Sequence, residues 1–233
     1  MFFKVFFLFS VYILVIRAEL SSLTGFKTIP KPLYDWPNIE NQNQNSVPRV
    51  TVSIYYESLC PDCINFFTNQ LKPNLEKFYK YLNLDFVPYG NCNQTQSEGK
   101  WNFTCQHGPL ECSDNKWQAC AINVLPSKPK CLAQYLTCYM TSVKKTHSAY
   151  LCAKKLGLLQ SYKKIKDCVQ NDDFSSELLA HYGNRTRSLI PRLSWVPLIT
   201  FNGVFNKIDQ YNAEHNFPKA ICNYLIPKPA KIC

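Results

Sequence analysis

Glycine is scarce in this chain, at seven of 233 residues, and no cluster of them could form a phosphate-cradling loop, which argues against a resident nucleotide. Histidine is scarcer still: His107, His147, His181 and His215 are scattered. Only one C-x-x-C occurs, so the second short-spaced ligand pair of a zinc site is missing and no metal is expected. No stretch approaches about 18 continuous apolar residues, which excludes a comfortable membrane span and any stable membrane insertion of the mature chain. Acidic side chains are few, 16 against 26 Lys and Arg, leaving a formal charge of +10, or +8 without Lys4 and Arg17. The cations gather between Lys144 and Lys166 and are read as the solvated face of helices, with attraction to acidic unfolded chains or anionic lipid as the competing reading. No nucleic-acid motif accompanies them, and no nucleic-acid partner is expected.

Cysteine, by contrast, is abundant, at twelve. The N-terminus has one early cation, Lys4, an apolar run from Val5 to Ile16 broken only by Ser10, and then Arg17-Ala18. Residues 1–18 therefore read as a secretory signal peptide, with a signal anchor as the alternative. A leader and many cysteines together point to the secretory pathway, an oxidising destination where most thiols are bridged. Residues 19–48 contain Pro30, Pro32, Pro37, Pro48 and a polar run from Asn41 to Asn45, and read as a flexible linker or pro-segment. Residues 49–222 form one folding unit, and 223–233 a C-terminal tail whose Cys233 either bridges to the body or is trimmed away. Sequons at Asn93, Asn102 and Asn184 are candidate glycosylation sites.

Chemistry enters at Cys60-Pro61-Asp62-Cys63. The preceding run, Val50 to Tyr56, is β-branched and aromatic with Val50, Val52 and Ile54 on one face, the period of a half-buried strand. From Ile64 the apolar positions Phe67, Leu71, Leu75, Phe78 and Leu82 follow in steps of three and four, one stripe along a helix. Pro61 suits its first turn. Unpaired amides and the macrodipole at a helix N-terminus stabilise a thiolate, so Cys60 is the attacking residue. Cys63, nearly one turn on, can reach back and close the pair, so it is the resolving residue. Half a zinc site, a structural disulfide and two buried thiols are the alternatives weighed against this redox reading.

The other cysteines, Cys92, Cys105, Cys112, Cys120, Cys131, Cys138, Cys152, Cys168, Cys222 and Cys233, are read as structural. Ten cysteines allow about 945 pairings, so connectivity stays open. Leu84 to Tyr89 reads as a second strand, and Trp195 to Phe205 as two short strands around an Asn-Gly turn. The interval between them is too long to be a loop. It carries helix-like patterns over 117–124, 131–143, 148–159 and 162–169, so residues 105–190 or so read as a helical, disulfide-stapled insertion.

The segment from Cys105 to Cys120 matches C-Q-H-G-x2-E-C-x2-N-x4-C at every defined position. It resembles the signature of the gamma-interferon-inducible lysosomal thiol reductases, and the resemblance extends to the C-x-x-C, to Val87–Asn91 and to Val196–Leu198. What the resemblance implies is an α/β fold, a thioredoxin-like core with a helical insertion. It also implies that Pro197 is a cis-proline facing the C-x-x-C and that the Val196 backbone is free to bind an extended substrate segment. Within the signature, Cys105, Cys112 and Cys120 are implied to be bridged, Gly108 to permit a turn, and His107 and Glu111 to hydrogen-bond locally, with tuning of a nearby thiol as the rival role for His107.

The implied activity is reduction of disulfide-bonded, unfolded protein substrates in an endosomal, lysosomal or extracellular setting. No cofactor is implied; an external thiol reductant, small thiol or protein, supplies electrons. At pH 5 a thiol of pKa near 8.5 is about 0.03 percent ionised and one near 5 about half ionised, so such an enzyme needs a depressed Cys60. A disulfide-donating oxidase or isomerase and a non-catalytic secreted binding protein are the rival functions.

Overall fold

The computed structural model describes residues 47–142 and 148–233. The signal peptide read over 1–18, and the linker read over 19–48 except Val47 and Pro48, lie outside the described residues. So do Lys144, Lys145 and His147.

Strand β1 (Val50–Tyr56) is the centre of a three-stranded sheet of order β2-β1-β5. It pairs parallel with β2 (Leu82–Pro88), Val50 opposite Leu82, and antiparallel with β5 (Leu198–Phe201), Val52 opposite Phe201. A βαβ unit followed by an antiparallel strand is the thioredoxin-like arrangement. Val50, Val52, Ile54 and Tyr56 face the main core, while Tyr55 packs on the other side with Val87, Leu179 and Tyr182. The strand is thus buried on both faces, where alternation alone points to one, because helices cover both sides of the sheet.

The stripe that begins at Ile64 is one apolar face but not one regular helix. Helix α1 (Pro61–Phe66) runs into a π-turn at Phe67–Leu71, then α2 (Lys72–Phe78), and a 3₁₀ turn at Tyr79–Tyr81. Pro73 has no amide to give the i−4 carbonyl, and the ladder widens just before it, with Lys72 N–H donating to Phe67 O. Leu82, read as the stripe's last position, instead opens β2.

Beyond β2 the chain makes a hairpin that the apolar pattern does not announce, β3 (Asn93–Ser97) with β4 (Lys100–Thr104). Its turn residues Glu98 and Gly99 both have positive φ. Five helices follow before β5: α3 (Pro109–Val124), α4 (Pro129–Met140), α5 (Ser148–Lys155), α6 (Leu159–Gln170) and α7 (Asp172–Arg187). Lys154, Lys155, Lys163, Lys164 and Lys166 are exposed on α5 and α6, a solvated face. Helix α3 starts eight residues before the periodicity expected from Trp117, because Glu111, Asp114, Asn115 and Gln118 on its inward side are all buried and a polar buried face gives no apolar period. At the other end, Asn202 and Gly203 turn with positive φ, and the strand expected beyond them shrinks to one bridge between Phe201 and Val204. Helices α8 (Lys207–His215) and α9 (Phe217–Cys222) close the chain. Among the described residues no helix is long and apolar enough to cross a membrane.

Four disulfides join Cys105 to Cys112, Cys120 to Cys168, Cys138 to Cys152 and Cys222 to Cys233. The first two tie α3 at its start and to α6, and the last folds the C-terminal segment back on α9. Cys92 and Cys131, read as structural, are free. The reason is position: Cys92 lies in the smaller core beside two sulfurs already bonded to each other, and Cys131 sits on the edge of the main core in the first turn of α4.

Disulfide stabilisation should follow loop length. Replacing Cys120 and Cys168 (48 apart) with serine should cost roughly 4 kcal/mol, against roughly 3 for Cys222 and Cys233 (11 apart), by the chain-entropy relation. Urea unfolding of the two double mutants checks the order, and a larger loss for the short loop would refute it.

Candidate active site

Strand β1 delivers Glu57-Ser58-Leu59 to the start of α1, where Cys60 is the N-cap residue, with φ −63° and ψ 123°, and Pro61 opens the helix. The Cys63 amide donates to Cys60 Sγ at 3.2 Å, one of the otherwise unpaired donors of a helix start. Cys60 Sγ also lies 3.8 Å from the Val196 carbonyl oxygen, to which it donates as a thiol. The Val196–Pro197 peptide is cis. The structure therefore brings Cys60, Cys63, Val196 and Pro197 together. Gln210 of α8 fixes the entry to β5, its amide donating to Pro197 O and its carbonyl accepting from Ile199 N–H, both at 2.8 Å. The three sequons lie elsewhere in the fold: Asn93 and Asn102 are exposed on the hairpin, and Asn184 is within α7, where its side chain accepts from Gln94 and Thr186 two residues on is buried.

Behind the cysteines is a layer of buried polar side chains that sequence reasoning reached only in part. Glu111 Oε2 accepts from the Leu59 amide at 3.2 Å, Asn115 Oδ1 accepts from the Ser58 amide at 3.0 Å, and the Ser58 hydroxyl donates to Glu111 O. Glu111 Oε1 accepts from the His107 amide at 3.1 Å, and His107 Nδ1 is 2.7 Å from Glu111 Oε2. The local bonding expected of His107 and Glu111 is thus present, and Gly108 has the positive φ of a turn. Glu57 belongs to no motif, and its only signal in the sequence is a charged residue between an apolar strand and a helix. Its Oε1 accepts from the Asn91 amide, and its Oε2 lies 3.3 Å from His107 Nδ1. Gly90 makes this possible, since a Cβ there would collide with the Glu57 side chain.

The two thiols are pushed apart. The hydrogen bond with the Cys63 side chain leads the lowering of Cys60, helped by the Cys63 and Asp62 amides and opposed by burial and by Glu57. Burial raises Cys63 well above the ordinary thiol value, and the Cys60 sulfur adds to it. Burial, with Glu111 nearby, pushes the Glu57 carboxyl up to about 7. Burial draws His107 down, but Glu111, Glu57 and Cys60 outweigh it, and the imidazolium is favoured. A helix-capped thiolate beside a protonated partner can attack a disulfide and then be displaced by its neighbour.

Two clusters combine groups that metals use: Glu57 with His107 and Glu111, and Cys92 with Cys105 and Cys112. In the first, both Glu111 oxygens already accept from amide hydrogens, and Nδ1 at 2.7 Å from a carboxylate oxygen carries a hydrogen. In the second, two of three sulfurs form a disulfide.

A family model described as gamma interferon inducible lysosomal thiol reductase matches residues 51–156. A gamma-interferon-inducible lysosomal thiol reductase-like protein of Anopheles gambiae is 32% identical over 194 residues, covering 78% of this chain and 80% of that protein. The Carassius auratus and Mus musculus proteins named gamma-interferon-inducible lysosomal thiol reductase are 32% and 29% identical, over 78% and 80% of this chain and 71% and 77% of their own lengths. Among solved structures, Bacillus subtilis BdbD is 14% identical with a TM-score of 0.48, covering 76% of this chain and 92% of that one. Chlamydia trachomatis DsbA is 13% identical with a TM-score of 0.47, over 79% and 95%.

The buried carboxyl makes stability pH-dependent in a defined direction. Below about pH 4.5 Glu57 is protonated folded and unfolded; between there and its folded value of about 7 only the unfolded chain loses the proton, so stability falls as pH rises. The span corresponds to at most about 3 to 4 kcal/mol. Urea unfolding with disulfides intact should give a lower midpoint at pH 8 than at pH 5, and Glu57→Gln should shrink the difference; an unchanged difference in the variant would assign it to other groups.

Proposed function

The chain belongs to the gamma-interferon-inducible lysosomal thiol reductase family, and from that premise we propose that it is a thiol-disulfide oxidoreductase that reduces protein disulfides in an acidic endosomal, lysosomal or extracellular compartment. The observation that carries this reading is the Cys63 amide on the Cys60 sulfur at a helix start, beside a buried Cys63 whose thiol is pushed up by burial.

In the proposed cycle the Cys60 thiolate attacks one sulfur of a substrate disulfide. That S–S bond breaks, a Cys60–substrate bond forms, and the departing substrate sulfur takes up a proton. Cys63 then gives up its proton and attacks the Cys60 sulfur, which releases the second substrate thiol and leaves a Cys60–Cys63 disulfide. Two equivalents of an external thiol, or one dithiol, then exchange with the Cys60–Cys63 bond, are themselves oxidised to a disulfide, and so return two electrons and two protons to the pair. The Val196 carbonyl, 3.8 Å from Cys60, is suited to aligning an extended segment beside the attacking sulfur. The substrate class is disulfide-bonded, unfolded protein, and the reductant a small thiol or a protein thiol.

One observation favours the reverse direction. The same hydrogen bonds that stabilise the Cys60 thiolate stabilise the reduced enzyme, and a stabilised reduced form makes a stronger oxidant. Equilibration with glutathione buffers of stepped ratio separates the two: a low potential supports the reductase and a high one the disulfide donor.

With a small-thiol reductant, the purified protein should reduce a denatured disulfide-bonded substrate at pH 5. Cys60→Ser should abolish the reaction, and Cys63→Ser should trap a Cys60–substrate adduct visible as a mass increase without reductant. Full activity in Cys60→Ser would sink the assignment of the nucleophile.

A further inference from the structure

Glu57 is wholly buried, yet its Oε2 has no hydrogen bond. It sits at ion-pair distance from a histidine whose single Nδ1 hydrogen is committed to Glu111 at 2.7 Å. Glu111 cannot release that histidine cheaply, because the same carboxylate holds the Leu59 and His107 amides. Glu57 is therefore the member of the trio whose charge is least supported, and it stands three residues before Cys60. The titratable groups that face it are His107 from the turn before α3, Glu111 from α3, Cys60 and Cys63 from α1, and Cys92 from the segment after β2. Of these only His107 carries positive charge, and its side chain is 30% exposed, so protons can enter from solvent without unfolding.

We propose that Glu57, coupled to His107 and Glu111, is a protonation-gated positioning group for the redox pair. With a proton on Glu57 the cluster holds one carboxylate and one imidazolium, and the imidazolium favours a thiolate on Cys60. Without it the cluster holds two buried carboxylates, and the added negative charge opposes that thiolate. The device rests on Cys60 being the attacking sulfur, and it favours negative charge on that sulfur more in acid, where Glu57 is protonated, than at higher pH, where Glu57 is ionised. Glu57 acts through Cys60 and touches no substrate. Unit charges within roughly 8 Å in a partly buried site couple by a factor on the order of ten.

The test reads the thiol directly, so it does not depend on reductase activity. In mildly reduced protein with the four disulfides intact, the rate of iodoacetamide addition to Cys60, followed by fragment-ion mass spectrometry to separate it from Cys63, Cys92 and Cys131, is measured from pH 3 to pH 9. The wild-type curve should be broader than a one-site titration. Glu57→Gln, which keeps an acceptor for the Asn91 amide, should sharpen it and raise the rate at neutral pH severalfold, up to about tenfold. His107→Gln should lower the rate at pH 5. Superimposed curves for wild type and Glu57→Gln would overturn the proposal.

Should Glu57→Gln fail to fold, reciprocity gives a second test on the unaltered chain. The Glu57 carboxyl, followed by carbon-13 NMR, should titrate at higher pH in the reduced protein than in the Cys60–Cys63 disulfide form. Identical midpoints in the two redox states would equally overturn it.

Discussion

A single buried carboxylate, that of Glu111, holds the site together. It accepts from the Leu59 amide immediately before Cys60, from the His107 amide, and from the His107 ring. Each of those donors would otherwise be an unpaired or weakly paired group near the protein interior, at a cost of order 1–3 kcal/mol apiece. The loop before Cys60 and the turn before α3 are thus stitched to each other through one side chain. Asn115, one turn further along α3, adds the Ser58 amide, and the Cys105–Cys112 disulfide keeps the turn and the helix start from separating. The signature around Cys105 to Cys120 is in this sense a receptor for the active-site loop, built as a helix whose buried face is polar.

That framework imposes opposite demands on two sulfurs three residues apart. Cys60 receives an amide hydrogen bond at a helix start and is lowered; Cys63 lies wholly inside the core and is raised. In the proposed cycle this asymmetry would order the chemistry, the lowered sulfur attacking and the raised one waiting until a mixed disulfide removes the charge beside it. Lowering a thiol also weakens its intrinsic nucleophilicity, with a Brønsted slope near 0.45, but in acid the gain in thiolate abundance is larger. The cost is thermodynamic: a stabilised thiolate resists being oxidised, so speed of attack and reducing power pull against each other.

The parts of this arrangement governed by apolar periodicity could be read from the residues. Val50, Val52 and Ile54 mark β1, and the stripe from Ile64 to Phe78 marks the helix whose start carries Cys60. The parts governed by polar burial could not. Helix α3 shows no apolar period where Glu111, Asp114 and Asn115 face inward, so its first eight residues are invisible to a pattern built on burial of carbon. The β3–β4 hairpin turns on Glu98-Gly99 rather than on Asn-Gly, and its strands are mostly polar. Pairing of the cysteines depends on which helices cross, which no local pattern encodes, and so Cys92 and Cys131 could not be told from bridged ones. Glu57 escaped for a related reason: its significance lies in Gly90, Asn91 and His107, which reach it from two other segments.

Access to Cys60 is the remaining constraint on the proposed cycle, and it favours a particular kind of substrate. Cys60 is only 4% exposed, and its sulfur lies against the Val196 carbonyl. A disulfide held inside a folded domain cannot bring a sulfur in line with such a buried atom without a clash of the two surfaces. A segment that can extend along the Val196 edge can do so. Trp195, 42% exposed and in edge contact with Phe205, places apolar surface next to that edge, where side chains normally buried in a folded partner would find contact. Burial of Cys60 therefore adds a steric argument to the proposal that unfolded chains are the substrate class, independent of the electrostatics that lower the sulfur's pKa.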